Sequence, residues 1–565
     1  MLQSRTRVVL IAWLLAVFPL ALLAQEAPEK TPDTPTKTPE PPKQPEIPEI
    51  PLADLPGQPI PQAHPLVSLD WHGELRTRLD YLSGVRFTTL DPSIAPHLDV
   101  RHGESRTLPS DGQTGLGDLR LRLDPVLHVA EWADLRAQID GTERMVLGGQ
   151  AGTSSDPLTS SNLTLDYLTS EPGKYASRAG IGVRRAWVHV RVLGMGEIDI
   201  GRQGDHFGLG MVRNDGRDLF SDFQNDVDRL SATAEFFGVR FMVARDILFN
   251  GPLNTTAVTG TSVLTHGVNA SSVDGQPRPL QDSADATRWL AQAQSSKPEG
   301  QPGLRWGAAV MYQSQDNSFY AEHGDCGLQQ SCDLLIPRTV RQFIPQLYLD
   351  WSGKAGKSPI RFQLEGVFRY GSVARADERS ATDTSKTLAG GGFATKSEWR
   401  PGRNTVSLDF GLASGERGGG FGVNDQDNWR LSAAPDTTPR SFLTGFAFHR
   451  GFLVDSILFR DIIGAVANAW YWKPAWQRTL WDNGRDQGLS VEASVLAAIA
   501  ASDNATPGKA FFIGVEPEAS LWWRNSGITA VLRASTLLPG PALAAPSGAD
   551  AQTVWRLDAA IRLGF

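Results

Sequence analysis

The most constraining feature of this 565-residue chain is a strict alternation of side chains over residues 554–565. From Trp555 onward every second residue is apolar, and the residues between include Arg556, Asp558 and Arg562. A period of two is that of a β-strand, whose side chains point alternately to opposite faces. The pattern therefore predicts a strand with one face suited to hydrocarbon, the other suited to water, and aromatic residues at both ends of the apolar face.

The same alternation recurs along the chain from residue 66 onward. Eighteen segments carry it, near 69–81, 117–129, 132–141, 181–193, 195–203, 228–236, 238–247, 285–295, 303–315, 341–352, 359–371, 392–400, 404–414, 462–474, 487–500, 510–524, 527–537 and 552–565. Their connections alternate between short turns rich in Gly, Pro or Asn and long polar loops. We therefore predict an all-β fold, a transmembrane antiparallel β-barrel of about eighteen strands, or sixteen if 285–295 and one partner are not strands. Barrels of this width enclose a lumen.

Two different segments precede the predicted barrel. Arg5 and Arg7 stand before an apolar run over residues 8–23, which is the layout of a secretory signal peptide. A membrane anchor helix is the alternative, although sixteen residues are few for a span. Residues 25–65 contain thirteen prolines and are predicted to be a disordered, extended linker. The predicted parts are thus a signal peptide (1–24), a Pro-rich periplasmic linker (25–65) and an outer-membrane β-barrel (66–565).

Composition excludes several classes of protein. A hydrophobic content of 41% and a mean hydropathy of −0.24 are too polar for a helical membrane protein, and a net charge of −8 gives no reason to expect a nucleic-acid partner. The two cysteines, Cys326 and Cys332, lie close together in one polar segment. In an exported protein they predict a local disulfide, and two free thiols are the alternative.

The stretch from residue 196 to 229 mixes glycine with arginine and aspartate, which predicts a loop folded into the lumen. An ordinary extracellular loop with surface salt bridges is one alternative, and a calcium site formed by Asp222, Asp226 and Asp228 is another. The candidate residues for lining or narrowing the pore are Arg202, Asp205, Arg213, Arg217, Asp218, Asp222, Arg76, Arg78, Glu197 and Asp199. A second candidate segment, 446–461, is predicted to be a strand extension or a short helix in a loop.

The segments 201–210 and 454–460, together with the terminal Phe565, resemble outer-membrane β-barrels of the alginate-export and porin type. They resemble still more closely uncharacterised myxobacterial barrel proteins that carry a Pro-rich segment after the signal. The resemblance implies the outer membrane of a Gram-negative bacterium, contact with its lipid, an N-terminal segment in the periplasm, and recognition of Phe565 by the barrel assembly machinery. Alginate exporters have an arginine-rich lumen, whereas the predicted inward charges here are nearly balanced in sign, so we expect no strong preference for polyanions.

These observations predict a porin-like channel that allows diffusion or export of polar solutes through a charged lumen, with no cofactor and no metal. The alternatives are a plugged structural or surface-assembly barrel without transport, and a barrel hydrolase. No serine lies in a Gly-x-Ser-x-Gly motif and no histidine pair has His-Glu-x-x-His spacing, so we do not predict an enzyme. Residues 25–65 are predicted to be a spacer or a tether to the cell wall or a periplasmic partner.

Overall fold

The computed structural model describes residues 67–84, 113–146, 182–192, 196–221, 223–248, 286–323, 332–374, 385–415, 442–484, 487–544 and 551–565. In these ranges the strands are β1 (Ser68–Asp70), β2 (Gly73–Ser83), β3 (Gln113–Leu123), β4 (Val126–Ala130), β5 (Ala133–Val146), β6 (Gly182–Val192), β7 (Gly196–Gly204), β8 (Asp226–Phe236), β9 (Val239–Leu248), β10 (Ala286–Ser295), β11 (Gly303–His323), β12 (Cys332–Ala355), β13 (Ser358–Ala374), β14 (Lys386–Trp399), β15 (Asn404–Ala413), β16 (Phe442–Leu443), β17 (Ala469–Asp482), β18 (Gly488–Ala500), β19 (Phe512–Asn525), β20 (Ile528–Pro539) and β21 (Val554–Gly564). Three short helical turns accompany them, at Leu458–Ile462, Asp503–Ala505 and Pro541–Leu543. None of the described helices is long and apolar enough to cross a membrane.

The strands form a closed barrel. All twenty-one belong to one sheet; β1 and β4 continue β2 and β3 beyond short interruptions, and β16 is a two-residue pairing with β14, which leaves eighteen wall strands. Each wall strand pairs antiparallel with the next, and the last, β21, pairs with the first, β2, from Glu74 opposite Gly564 to Ser83 opposite Trp555. The predicted eighteen-strand antiparallel barrel is confirmed, including β10 in the weakly patterned segment 285–295, which pairs on both sides.

The wall carries its polar side chains inward and its apolar side chains outward. On β21, Trp555, Leu557 and Ile561 are exposed on the outer face, whereas Arg556 and Asp558 are buried inside. A soluble β-sandwich buries its apolar side chains and exposes its charged ones. The opposite pattern here suits a wall surrounded by lipid. The alternation in the sequence thus predicted which face of each strand points outward.

Two levels of outward aromatic side chains bracket the wall. One end, the turn end, has short connections such as Phe237-Gly238, where both residues have positive φ (53° and 73°) as a type I′ hairpin turn requires. Exposed aromatic residues near this end include Trp351, and those near the opposite, loop end include Phe343 on the same strand. Eight residues separate these two, about 26 Å along a strand, which tilt reduces to roughly 20 Å. This height approaches that of an outer-membrane apolar band.

Several predicted strand boundaries differ from the structure, and β11, β12 and β14 extend further toward the loop end than predicted. The predicted strand 117–129 ends at Leu123, because Pro125 has no N–H to continue the ladder. Beyond it the segment resumes as β4, which stays in the wall because it pairs with β5 on one side and with β1 on the other, so that the predicted strands 117–129 and 69–81 are each divided in two. The predicted strand 462–474 begins only at Ala469, because the residues before it lie in the lumen.

Candidate pore constriction

Two connections at the loop end fold inward, lumen loop A (residues 205–225, of which 222 is not described) and lumen loop B (442–468). Loop A joins neighbouring strands β7 and β8, yet it reaches β13, five positions further round the wall. There the backbone N–H groups of Leu209 and Met211 donate to Oε2 of Glu365, at 2.7 and 3.2 Å. Glu365 lies in the middle of its strand, so loop A crosses the lumen at mid-wall, as its sequence predicts.

The second half of loop A is held by two arginines of β2. Arg76 Nη1 donates to the carbonyl oxygen of Ser221 at 2.9 Å, and Arg78 Nη1 donates to that of Phe220 at 3.0 Å. Arg78 Nε also pairs with Asp118 of β3 at 3.0 Å. Arg76 and Arg78 therefore lie on the inward face as predicted, but both are buried beneath the loop and position it against the wall.

The first half of loop A is held by a buried cluster of charges. Asp205 accepts from Arg213 at 3.2 Å and from Arg229 of β8 at 3.0 Å, and it also pairs with Arg288 of β10. Asp246 of β9 pairs with Arg229 at 2.6 Å and with Arg288 at 2.6 Å. Three guanidinium groups and two carboxylates thus form one network between the loop and three wall strands.

The two loop residues of this cluster keep their charges. Burial by itself raises the pKa of Asp205, but Arg213, Arg288 and Arg229 outweigh burial and hold that pKa well below its usual range. Burial lowers the pKa of Arg213 to about 10, which still leaves it protonated near neutral pH. Asp205 and Arg213, both predicted as pore residues, are each only 1% exposed, so their role here is to anchor the loop.

Loop B is anchored to β19 through Glu516, and its Asp461 also pairs with the buried Arg556 of β21. The backbone N–H groups of Ser456, Ile457 and Leu458 donate to Glu516 at 2.9, 3.0 and 2.9 Å. These donors lead into the turn Leu458–Ile462, which is a π-helix, and Asp455 Oδ2 accepts the N–H of Phe459 at 2.6 Å. The segment 446–461 was predicted as a strand extension or a short helix, and the structure places a short helical turn there.

The two loops meet in the lumen. The backbone N–H of His449 in loop B donates to the carbonyl oxygen of Met211 in loop A at 2.7 Å. The guanidinium of Arg450 lies 5.6 Å from the centre of the Phe223 ring. One buried apolar cluster also includes side chains of both loops and of the wall, among them Phe207, Met211, Phe448, Phe452, Ile457, Leu290 and Met311. The constriction is therefore formed jointly by loop A, loop B and the inward wall.

The remaining charged candidates lie on either side of the constriction. The side chain of Arg217 in loop A is 89% exposed, although its Nε lies 2.6 Å from Asp215. Asp218, its neighbour, is also exposed. Toward the turn end, Glu197 pairs with Arg240, and Asp199 pairs with His189 at 2.8 Å. The accessible charge of the lumen is thus mixed in sign above and below the loops.

Arg202 occupies a different face from the one predicted. It lies on the same face of β7 as Ile198 and Ile200, and Ile200 is exposed on the outer surface of the wall. Its guanidinium forms a two-point pair with Asp228 at 2.7 and 2.8 Å. Because the strand continues to Gly204, its pleat turns Arg202 outward, so the structure does not place this residue in the pore.

Three predicted residues are not described by the structure. Asp222 and Cys326 lie outside the described ranges, and the side chain of Cys332, at the start of β12, is also not described. The predicted disulfide therefore stays a prediction. The other carboxylates of the calcium alternative pair with arginines, Asp226 with Arg185 at 2.6 Å and Asp228 with Arg202. Among the described residues, no group of three or more acidic, His or Cys side chains could hold a metal ion.

The terminal Phe565 completes the closure of the wall. Its backbone N–H and carbonyl oxygen both pair with Gly73 at 3.0 and 2.9 Å, beside the junction of β21 and β2. A Cβ atom on Gly73 would lie 2.8 Å from Cζ of the Phe565 ring, so only glycine leaves room for that ring here. The predicted role of Phe565 in assembly stays a prediction.

The residues that anchor the loops from the wall, Glu365, Glu516, Asp246 and Arg288, are absent from the sequence-based candidates. Alternation marks each as inward-facing, but their partners lie far away in the chain: Glu365 is 154–156 positions from its donors. The sequence does show a carboxylate at an inward-facing position of a strand, since alternation reveals the face. The sequence does not show which loop that carboxylate binds.

Known proteins provide a remote likeness. No protein-family model matches the chain, and no curated protein matches it. Among solved structures, OccK11 (OpdR) of Pseudomonas aeruginosa is 13% identical with a TM-score of 0.43, over 88% of this chain and 96% of that chain. A BenF-like porin from Pseudomonas fluorescens Pf-5 is 13% identical with a TM-score of 0.42, over 88% and 99%. OccAB3 of Acinetobacter baumannii is 10% identical with a TM-score of 0.45, over 88% and 100%.

Proposed function

We propose that the chain forms a porin-like channel of the outer membrane, through which small polar solutes diffuse along a charged lumen. The observation that carries this proposal is an eighteen-strand wall with a polar inner face. A barrel of that width is too wide to be filled by wall side chains alone. Inward loops then set the size of the opening, and the accessible charges beside them act on the passing solute. No catalytic chemistry is needed.

The proposed setting follows from the sequence. We propose that residues 1–24 direct export, that residues 25–65 lie in the periplasm as a spacer or a tether, and that the barrel assembly machinery recognises the strand ending in Phe565. The barrel would then sit in outer-membrane lipid with its turn end toward the periplasm. The finer resemblance to alginate exporters and to myxobacterial barrels stays a prediction, and nothing in the lumen favours a polyanion over other polar solutes.

A plugged barrel without transport is the second candidate. The apolar cluster that joins both lumen loops to the wall favours it, because such packing resists opening. Both candidates require the same wall and differ only in whether water crosses between the loops.

Single-channel recording decides between the two. The purified full chain, refolded and inserted in a planar bilayer, is expected to give stepwise conductance, with a reversal potential near zero under a salt gradient because the accessible charges are mixed in sign. A correctly folded barrel that gives no conductance would overturn the channel and favour the plugged barrel. Folding is checked independently by its β-sheet circular dichroism and its heat-dependent mobility in detergent gels.

A further inference from the structure

A polar row runs round the outer face of the barrel at the loop end. The strand register places its members side by side on six neighbouring strands, β7 to β12. In order they are Arg202, Asp228, Ile247, Thr287, Ser314 and Arg341, of which all but Ile247 are polar. Arg202, Asp228 and Thr287 face outward because each lies two residues along its strand from an exposed side chain, Ile200, Leu230 and Trp289 respectively. Such a row is unusual on a wall surrounded by lipid, where outward charge at mid-membrane depth is costly.

An aromatic row lies directly below it. Arg245, Trp289, Tyr312, Phe343 and Tyr370 are register partners on β9 to β13, two residues nearer the turn end than the polar row. The four aromatic side chains are exposed. Aromatic belts of barrels mark the boundary between hydrocarbon and headgroups. The polar row, about 7 Å further along the strands, therefore lies at headgroup depth.

The outward charge at the loop end differs between two sectors of the barrel. At the loop end of the opposite sector, the outer face carries exposed apolar and aromatic residues, among them Tyr81, Phe512, Leu538 and Trp555. Among the described residues of β17 to β21 and β2, no charged side chain faces outward at that end. The arginines thus form a distinct surface and not a uniform belt, and we call Arg202, Arg245 and Arg341, with Asp228 and Asp316, the arginine patch.

The arginine patch has an excess of positive charge. Arg202 pairs with Asp228, and Arg341 Nη2 lies 2.9 Å from Asp316. The guanidinium of Arg245 lies 4.7 Å from the centre of the Trp289 ring and has no carboxylate partner among the described residues. Among the described residues of this surface, three guanidinium groups stand against two carboxylates, which leaves one positive charge at the depth of lipid phosphates. Guanidinium groups bind phosphate with paired, charge-assisted hydrogen bonds.

We propose that the arginine patch binds the phosphate groups of a phosphorylated glycolipid in the leaflet at the loop end. From Arg202 to Arg341 the patch crosses five strand spacings, about 24 Å. A footprint of this size suits a large headgroup that carries more than one phosphate. Between the arginines, Thr287 and Ser314 provide a pair of hydroxyl groups, 2.9 Å apart, that can meet sugar hydroxyls. The inference requires the barrel to lie in a bilayer, but it does not require the lumen to conduct.

The test measures lipid bound to the refolded full chain in uncharged detergent by native mass spectrometry, with bisphosphorylated lipid A as the probe. Arg202→Gln, Arg245→Gln and Arg341→Gln are combined in one variant. Each guanidinium removed is expected to weaken binding roughly fivefold. Arg478→Gln is the matched control, because Arg478 faces outward at the turn end. Asp228→Asn with Asp316→Asn removes the competing carboxylates and is expected to strengthen binding.

Each outcome decides the proposal. It is supported if the triple variant loses lipid A, the Arg478 control does not, and the aspartate variant gains. Equal binding by wild type and the triple variant overturns it, as does an equal loss in the control. Equal binding of dephosphorylated lipid A, or of phosphatidylglycerol, overturns the phosphorylated glycolipid as the ligand. Conductance of the triple variant should match wild type, so failure here is distinct from failure of the proposed channel.

Discussion

The two lumen loops occupy the same constriction but are held by different forces. Loop A is held chiefly by charge, through the Asp205 cluster and the arginines of β2. Loop B is held by apolar packing, by Glu516, which accepts three backbone N–H groups, and by the buried pair of Asp461 with Arg556 of β21. The comparison teaches that both loops combine charge with apolar packing but in different proportions, with charge dominating for loop A and packing for loop B. The two loops should therefore respond differently to mutation, pH and salt.

The largest effect is expected from Glu516→Ala. The substitution leaves three buried N–H groups of loop B without an acceptor, and each orphaned donor costs roughly 1–3 kcal/mol. Loop B should then leave the lumen, and single-channel conductance should rise severalfold while loop A stays docked. Ser494→Ala, at another buried inward position on the adjacent strand β18, is the matched control. Unchanged conductance in a folded Glu516 variant would contradict the role given to this carboxylate.

A smaller effect is expected from Asp205→Asn. Three buried guanidinium groups lose the carboxylate that joins them, and breaking such a network by removing one partner typically costs about 3–5 kcal/mol. The arginines of β2 and Glu365 still hold the rest of loop A, so we expect noisy, fluctuating conductance and not a lasting increase. The measurement is the open-channel noise at low and high salt. If noise is the same as in wild type, the cluster does not hold the loop.

A pH titration sharpens the comparison. Burial raises the pKa of Asp455 in loop B from 3.8 to about 6, whereas the pKa of Asp205 in loop A is lowered. A raised carboxyl pKa favours the docked, protonated form at low pH, so its stabilisation of loop B is complete below about pH 4 and is lost as pH rises to about 6. Gating events of loop B should become more frequent over that window, and Asp455→Asn should weaken the change. A pH response that persists in this variant belongs to another group.

The smallest effect is expected from Arg217→Ala. This side chain is exposed beside the constriction, so its removal should shift the reversal potential modestly toward cations, and the shift should shrink at high salt. Arg202→Ala removes the same charge from the outer face and should leave the reversal potential unchanged. A shift with Arg202→Ala and none with Arg217→Ala would reverse the two placements.

The alternation of side chains within each strand was sufficient to predict the barrel wall. Alternation is a property of each strand taken alone, so Trp555, Arg556 and Asp558 already reveal their faces in the sequence. The weak segment 285–295 also follows this rule, with Trp289 outward and Leu290 inward. Arg202 lies inside the predicted strand 195–203, where alternation with the inward Glu197 and Asp199 already puts it on the outer face; the prediction instead grouped it with the inward loop that follows.

The sequence by itself therefore determined the barrel, its closure by the last strand, and the mixed charge of its inner face. Only the tertiary structure decided how the lumen is narrowed, because Glu365, Glu516 and the Asp205 cluster bind loops whose partners are distant in the chain. It also decided that four of the predicted pore charges, Arg76, Arg78, Asp205 and Arg213, are buried anchors and not contacts for solutes. Pleating depends on neighbouring residues, whereas the docking of a loop depends on which wall surfaces the closed barrel brings opposite to it.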